Sequence, residues 1–234
     1  GNVDLDLQGQ IHGIEAVSGP MAFTATPESP SLGQPAASDD ITGGPGWTGL
    51  AAIEDFVNQG GVLMTLGNGS TLALDGGLVR HVRRAQGSGI RTPGVELRAR
   101  FLKPEHPLAY GYGDSTSVFR ADYPVYDMPR RWLRMAYCTS CLDGPTDTRW
   151  VVMQWGTRGG GTGGEAASDL VVSGGALNVE SLRGRPAILA VPRGRGMIVV
   201  YNFNPMHRDL NRSDFRLLWN GVLNWKNLKP TEQL

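Results

Sequence analysis

GGVLMTLGNGSTLAL, from Gly60 to Leu74, is the stretch that decides the fold class of this chain. Its apolar run Val62–Leu66 has the length of a buried strand, Gly67-Asn68-Gly69 interrupts it, and a second apolar run follows. This order predicts a strand, a tight turn and a helix, the kind of corner at which many hydrolases and amidotransferases carry a nucleophile. The question is whether this corner holds a reactive side chain or only a turn.

The residues before the strand point to the same fold class. Residues 47–58 are predicted to form a helix, because apolar side chains recur at near-helical spacing and Gly60-Gly61 follows. The recurring side chains are Leu50, Ile53, Phe56 and Val57. A helix, two glycines, an apolar strand, a turn and a second apolar run are typical of an α/β fold with a parallel sheet.

The remaining chain is predicted to add β-structure and a final helix. Alternating polar and apolar residues predict a β-rich insertion over about 95–175. Two strands joined by a tight turn at Arg193–Gly196 are predicted next, and then an amphipathic helix over Ser213–Trp225. Residues 1–46 lack regular signals and are predicted to be an extended or loop segment, which leaves 47–234 as the α/β domain.

Composition excludes some classes of partner. The chain has 234 residues, with 22 Lys plus Arg and 22 Asp plus Glu, so no net charge favours nucleic acid or anionic lipid. No apolar run approaches the length that crosses a membrane, and no signal peptide is visible at the N-terminus. Six tryptophans are spread along the chain, and they are interpreted either as core packing or as a binding platform for carbohydrate or peptide.

Ser70 is the candidate nucleophile of the corner. A serine nucleophile needs a neighbouring base, and His81 or His207 would have to supply it. The alternative is that Ser70 is structural, because serine is a preferred residue at the N-cap of a helix. The sequence favours the second interpretation, since the residues after Ser70 are not small.

Two further patterns raise metal or redox chemistry. His12 and Glu15 have the His-x-x-Glu spacing of two zinc ligands, but a catalytic zinc needs a third protein ligand, for which His81 and His106 are the candidates. Cys138 and Cys141 form one CxxC pair, which fits a disulfide at a hairpin tip, free thiols, a redox pair or half a zinc site. The flanking residues favour the disulfide or free thiols, because they are typical of strands.

Several segments together resemble one protein family. They are PSLG at Pro30–Gly33, SDDITGGPGWTGLAAIEDFVNQGGVLMTLG from Ser38 to Gly67, HPLAYG at His106–Gly111, and VPRGRGMIVVYNFNPMHR from Val191 to Arg208. They are similar to the class I glutamine-amidotransferase-like C-terminal domain of large bacterial zinc carboxypeptidases of the carboxypeptidase A type. The resemblance implies a three-layer, flavodoxin-like sheet, and a zinc ion and catalytic acid in a separate peptidase domain, so that this chain itself needs no cofactor.

The same resemblance implies that the amidotransferase chemistry is lost. The family's catalytic cysteine falls at Gly69, its histidine at Asn204 and its glutamate at Met206. Glycine and asparagine cannot act as thiolate nucleophile and imidazole base. We therefore expect a non-catalytic accessory or binding domain, secreted or periplasmic, whose partners are the peptidase domain of the same polypeptide and a peptide or glycan substrate. The alternatives are a serine hydrolase using Ser70, a zinc enzyme using His12 and Glu15, or an assembly module.

Overall fold

The structure is a computed structural model that describes residues 7–13, 22–31, 37–40, 42–80, 82–85, 89–128, 147–156, 170–209 and 211–228. The chain divides into two units, Gly1–Asp55 and Phe56–Leu234. In the first unit, helix α1 spans Leu7–His12, within the segment predicted to be extended or loop-like, and buries Ile11. Isolated bridges join Gly13 to Gly43 and Phe23 to Ser38.

The second helix and the corner follow in the predicted order. Helix α2 spans Gly46–Asn58 and crosses from the first unit into the second. Strand β1 spans Val62–Leu66, as the sequence predicts. A 3₁₀ turn at Gly67–Gly69 then leads directly into the short helix α3, Ser70–Leu74. The strand–turn–helix corner is therefore confirmed.

The strands of the second unit are short, and most of them belong to one sheet. In chain order they are β2 Arg83–Arg84, β3 Val95–Phe101, β4 Ser115–Arg120, β5 Tyr126–Asp127, β6 Val151–Trp155, β7 Val171–Gly174, β8 Pro186–Arg193 and β9 Gly196–Tyr201. The main sheet is a curled mixed sheet of seven strands, in the order β1-β9-β8-β6-β3-β4 with β7 beside β3. Strands β2 and β5 form a separate antiparallel pair. The fold is mixed α/β, as expected.

Parallel pairing is much rarer than the sequence suggests. Among the described strands β1 and β9 are the only neighbours that pair in parallel, with Val62 opposite Met197 and Leu66 opposite Tyr201. The β8–β9 hairpin turns at Gly194-Arg195, as predicted, and it and the β-rich residues from 95 onward pair antiparallel. The sheet is therefore mixed: it contains one parallel pair next to the corner, and the other described pairs of the main sheet are antiparallel.

The core of the second unit lies around β6, β8 and β9. Both faces of β9 are buried, and Trp155 and Tyr201 each meet Phe203 in an edge-to-face contact. The hydroxyl of Tyr201 donates to the carbonyl of Leu217 at 2.9 Å and so fixes the last helix on the sheet. None of the described helices is long and apolar enough to cross a membrane.

The last helix turns an unexpected face to the sheet. Helix α4 spans Arg212–Leu223 and buries Asp214, Leu217 and Gly221. Gly221 allows α4 to approach β1 closely, since a Cβ at this position would lie 3.0 Å from the sulfur of Met64. The predicted amphipathic helix is present, but Trp219, Val222 and Leu223 of its apolar residues are exposed.

Candidate functional site

The corner brings the ends of two parallel strands together. The amide of Gly67 donates to the carbonyl of Phe203 at 3.1 Å, which joins the residue after β1 to the segment after β9. Gly67 has a φ of +51°, and a Cβ at this position would lie 2.6 Å from the Tyr123 ring. Only glycine fits this conformation and this contact without strain. Glycine at the corner is therefore required by its architecture.

Ser70 is part of the interior of the corner. Its side chain is 0% exposed. Its hydroxyl donates to the carbonyl of Gly67 and shares a hydrogen bond with the hydroxyl of Tyr126. Ser70 is the first residue of α3 and Gly69 is the N-cap, without a side-chain capping bond, so the expectation that Ser70 caps the helix was wrong. The hydroxyl instead closes the turn that precedes the helix.

The partner of Ser70 is a poor proton acceptor. Burial raises the pKa of Tyr126 above its ordinary value. The phenol therefore stays protonated at neutral pH and does not serve as a base toward Ser70. Neither hydrogen-bond partner found for Ser70 in the described part of the chain is a histidine.

The segment after β9 uses its polar side chains to hold a turn. The amide oxygen of Asn204 accepts from the backbone N–H of Met206 at 3.0 Å, and the Met206 side chain is exposed. His207 stacks on Phe119 with 4.7 Å between ring centroids. Burial and the neighbouring Arg208 lower the pKa of His207. The positions that the family resemblance aligns with a catalytic base and acid therefore hold a capped turn.

A buried arginine stabilises the loop beside the corner. Arg120 is fully buried at the end of β4, and its donors reach the carbonyls of Ala121 and Tyr123 and the hydroxyl of Thr92. Its Nε donates to the side-chain oxygen of Asn202 at 3.3 Å, which also accepts from Trp155. Burial lowers the pKa of Arg120 to about 10, so it stays charged at neutral pH. These neutral acceptors make the guanidinium a structural tie.

Only some of the residues predicted as metal ligands or paired thiols lie in the described part of the chain. His12 lies in α1 and meets Trp47 edge-on, with 6.0 Å between ring centroids. Glu15, His81, Cys138 and Cys141 lie outside the described residues. Within the described ranges no three His, Cys, Asp or Glu side chains form a group that could hold a metal ion.

His106 has a structural role. Its Nδ1 accepts from the backbone N–H of Leu108 at 3.3 Å and caps the 3₁₀ turn Pro107–Ala109. Burial, together with the nearby Lys103, lowers the pKa of His106 to about 4. The imidazole is therefore neutral at physiological pH. The HPLAYG segment forms a capped 3₁₀ turn against which α4 packs. Asn220 of that helix donates to the carbonyls of Leu108 and Tyr110.

Asp214 is a notable ionisable group that the sequence did not single out. It is buried in the first turn of α4 and accepts from the backbone N–H of Phe119 at 3.1 Å. Burial raises its pKa to about 7, and the carboxylate of Glu96 adds to the shift. An acidic residue in the first turn of a helix is ordinarily solvent-exposed, so the sequence gave no reason to expect that Asp214 is buried.

An apolar groove lies next to β1. Val62 and Met64 of the strand lie on one side of it, and Phe56, Val222 and Trp225 also line it. Its volume is about 710 Å³. The tryptophans differ in their burial: Trp155 packs in the core, whereas Trp47, Trp219 and Trp225 are exposed. The groove was not predicted, because the amphipathic pattern of α4 does not show which of its apolar residues stay exposed beside β1.

Comparison with known proteins gives no family. No family model matches the chain. No curated protein matches it either. Among solved structures, a cytoplasmic protein from Salmonella typhimurium is similar at 13% identity and a TM-score of 0.46, with 97% of this chain and 70% of that chain covered. At this TM-score the similarity supports no inference about function.

Proposed function

We propose that this chain is a non-catalytic binding domain of the class I glutamine-amidotransferase-like type. In this proposal the mixed sheet derives from a three-layer, flavodoxin-like arrangement, and the domain belongs to a secreted or periplasmic zinc carboxypeptidase-type protein. The zinc ion and the peptidase chemistry would reside in another domain of that protein, which would be the first partner of this one. The family assignment rests on the sequence segments described above.

The observation that carries the non-catalytic part is the state of the Ser70 hydroxyl. Ser70 is the candidate nucleophile of the corner, and its hydroxyl is buried and hydrogen-bonded to the Gly67 carbonyl and to the protonated Tyr126. A serine nucleophile needs access to substrate and a base within about 3 Å. The other two positions of the corner chemistry hold Gly69 and Asn204, and the amide oxygen of Asn204 is engaged by Met206.

The groove beside β1 supports a binding role. Binding sites are typically concave, mostly apolar and lined by a few aromatic side chains, and Phe56 and Trp225 provide such walls. A peptide segment suits this surface better than a charged ligand, because no side chain that lines the groove is ionisable. A glycan would be recognised by stacking on Trp225.

Two assays on the purified chain test the non-catalytic part. Ammonia release from glutamine and hydrolysis of p-nitrophenyl acetate are expected to equal those of a Ser70→Ala variant, and a fluorophosphonate probe is expected to leave Ser70 unlabelled. Turnover or labelling that disappears in Ser70→Ala, with an unchanged circular dichroism spectrum, would establish the serine-hydrolase alternative instead.

The family part has its own test. The complete reading frame is expected to encode a zinc peptidase domain, and removing the present domain is expected to change hydrolysis of large peptides more than of a dipeptide substrate. The dipeptide is the control, because it reaches the peptidase centre without using a second binding surface. A reading frame without a zinc peptidase would refute the assignment.

A further inference from the structure

Strand β1 has the sequence of an interior strand but the position of an edge strand. VLMTL is free of charge and proline, and four of its five side chains are apolar, as in strands that are covered on both faces. Among the described residues it pairs only with β9, so no described strand pairs with its other edge. Most of its side chains are only partly buried. Natural edge strands usually carry a lysine, a proline or a bulge that prevents pairing, and β1 has none.

The surface beside this edge is also apolar and uncovered. The groove adjoins Val62 and Met64, and the stripe of α4 next to it presents Trp219, Val222 and Leu223. This is the stripe that amphipathic periodicity assigns to a core. A strand edge that no described strand pairs with, and exposed apolar residues of α4 beside the same groove, point to one neighbour that contacts both.

A second copy of the chain fits both features at once. In antiparallel pairing of β1 with β1 of another copy, the two-fold axis is perpendicular to the sheet, so both copies keep the same face on the same side. The two grooves then adjoin, and Phe56, Val222 and Trp225 of each copy face those of the other. No ionisable side chain lines the groove itself, although the ammonium of Lys226 lies 5.6 Å from the centroid of the Trp225 ring. The chain has no net charge, so no long-range repulsion opposes the approach of two copies.

The exposed aromatic side chains provide about half of the area that a specific contact needs. Phe56, Trp219 and Trp225 are 56%, 49% and 42% exposed. Because a large aromatic side chain covers about 200 Å², these three leave about 600 Å² across two copies, half of the roughly 1,200 Å² at the lower end of stable interfaces. Val222 and Leu223, which are 43% and 75% exposed, and the strand edges add to this area.

We propose that two copies of this chain associate through antiparallel pairing of their β1 strands, with the groove residues Phe56, Val222 and Trp225 packed across the two-fold axis. The product is one continuous sheet through both copies. This inference does not depend on the family assignment, and it gives the groove a different occupant from the peptide or glycan proposed above, so a dimer would close the groove to that ligand.

Sedimentation velocity with a matched pair of variants tests the proposal. Val222→Lys places a charge in the groove, and Val172→Lys places the same charge on β7, where the valine is 45% exposed against 43% for Val222. We expect the wild-type chain and Val172→Lys to sediment as dimers within about 1–100 µM, a range that detects micromolar association. Val222→Lys is expected to weaken dimerisation at least about tenfold, because its ammonium would be desolvated at the contact.

Hydrogen exchange of the β1 peptide gives an independent measurement on the unmodified protein. Protection of residues 62–66 is expected to rise with protein concentration in step with the dimer fraction. A wild-type chain that is monomeric at about 100 µM overturns the proposal. So does a dimer that is equally sensitive to both variants or to neither, or protection of β1 that arises only when another domain of the parent polypeptide is present.

Discussion

The backbone N–H of Gly67 donates to the carbonyl of Phe203, and the 3.1 Å bond ties the end of β1 to the segment after β9. Parallel strands place their carboxyl ends at one edge of a sheet, where α/β proteins bind ligands and place catalytic groups. In this chain that edge is held by glycine, by a buried serine and by an asparagine that caps a turn. The corner therefore serves as a structural joint, and its residues are best tested through stability.

The first prediction separates the two glycines of the corner. Gly67→Ala should lower the free energy of unfolding by about 2–4 kcal/mol, because φ is positive and the new Cβ would meet the Tyr123 ring. Gly69→Ala should change it by less than about 0.5 kcal/mol, because φ is −59° and no atom lies within 4 Å of the new Cβ. Equilibrium unfolding in urea measures both. Equal costs would show that the corner is not constrained as described.

The second prediction concerns the hydroxyl pair of Ser70 and Tyr126. Ser70→Ala and Tyr126→Phe should each cost about 1–2 kcal/mol, because each leaves the other buried hydroxyl without this partner. The double variant should cost about 1 kcal/mol less than the sum, since it removes both hydroxyls together. A double-mutant cycle by urea unfolding measures this coupling. Additive costs would mean that the two hydroxyls do not interact.

Local sequence patterns predicted several elements of the fold well. Strand Val62–Leu66, the turn at Gly194-Arg195 and the last helix, found at Arg212–Leu223, all follow from residues close together in sequence. Periodicity and turn residues report the state of a segment, because they reflect local backbone preferences. Such local patterns could not predict the burial of Ser70, because its partner Tyr126 lies 56 residues away in the sequence.

The pairing of the strands and the orientation of α4 could not be read locally. Which strands pair depends on contacts far apart in sequence, and a parallel sheet was inferred from one helix–strand–turn unit. In α4, Leu217 and the small Gly221 face the sheet, together with the polar Asp214 that accepts from Phe119. A carboxyl group on the buried face conflicts with a purely apolar pattern, so periodicity alone does not show which face of α4 is buried. The groove was missed for the same reason.

The third prediction uses the cap formed by His106. Its pKa of about 4 is below the ordinary 6.5, so the folded chain favours the neutral imidazole while the unfolded chain takes up a proton. The stability this provides is present above pH 6.5 and is lost as the pH falls toward 4. His106→Asn keeps an acceptor for the Leu108 N–H but does not titrate, so relative to wild type it should gain about 1–2 kcal/mol over this interval, after discounting for partial exposure.

His106→Ala is the control for the cap itself. It should not titrate either, but it should be about 1 kcal/mol less stable than His106→Asn at every pH, because the capping acceptor is lost. Urea unfolding between pH 4 and pH 7.5 measures all three proteins. A wild-type to Asn difference that does not change with pH would show that the imidazole is not held neutral by burial.

The fourth prediction concerns Asp214, whose contribution to stability changes with pH in the opposite direction to that of His106. Its pKa of about 7 lies above the ordinary 3.8, so the folded chain favours the protonated carboxyl. The stability this provides is complete below pH 3.8 and is lost as the pH rises through 7. Asp214→Asn keeps an oxygen for the Phe119 N–H and stays neutral, so its stability relative to wild type should rise between pH 4 and pH 8 by about 2 kcal/mol.

The matched control for Asp214 is Asp209→Asn, which removes an exposed carboxylate that pairs with Arg212 at 2.9 Å on the surface. Because exposed ion pairs contribute less than about 1 kcal/mol, this variant should follow the wild-type pH profile closely. Thermal unfolding followed by circular dichroism at each pH gives both profiles. If Asp214→Asn and Asp209→Asn give the same stability profile between pH 4 and pH 8, the pKa of Asp214 in the folded chain is not raised, and its burial beside Glu96 does not favour the protonated carboxyl.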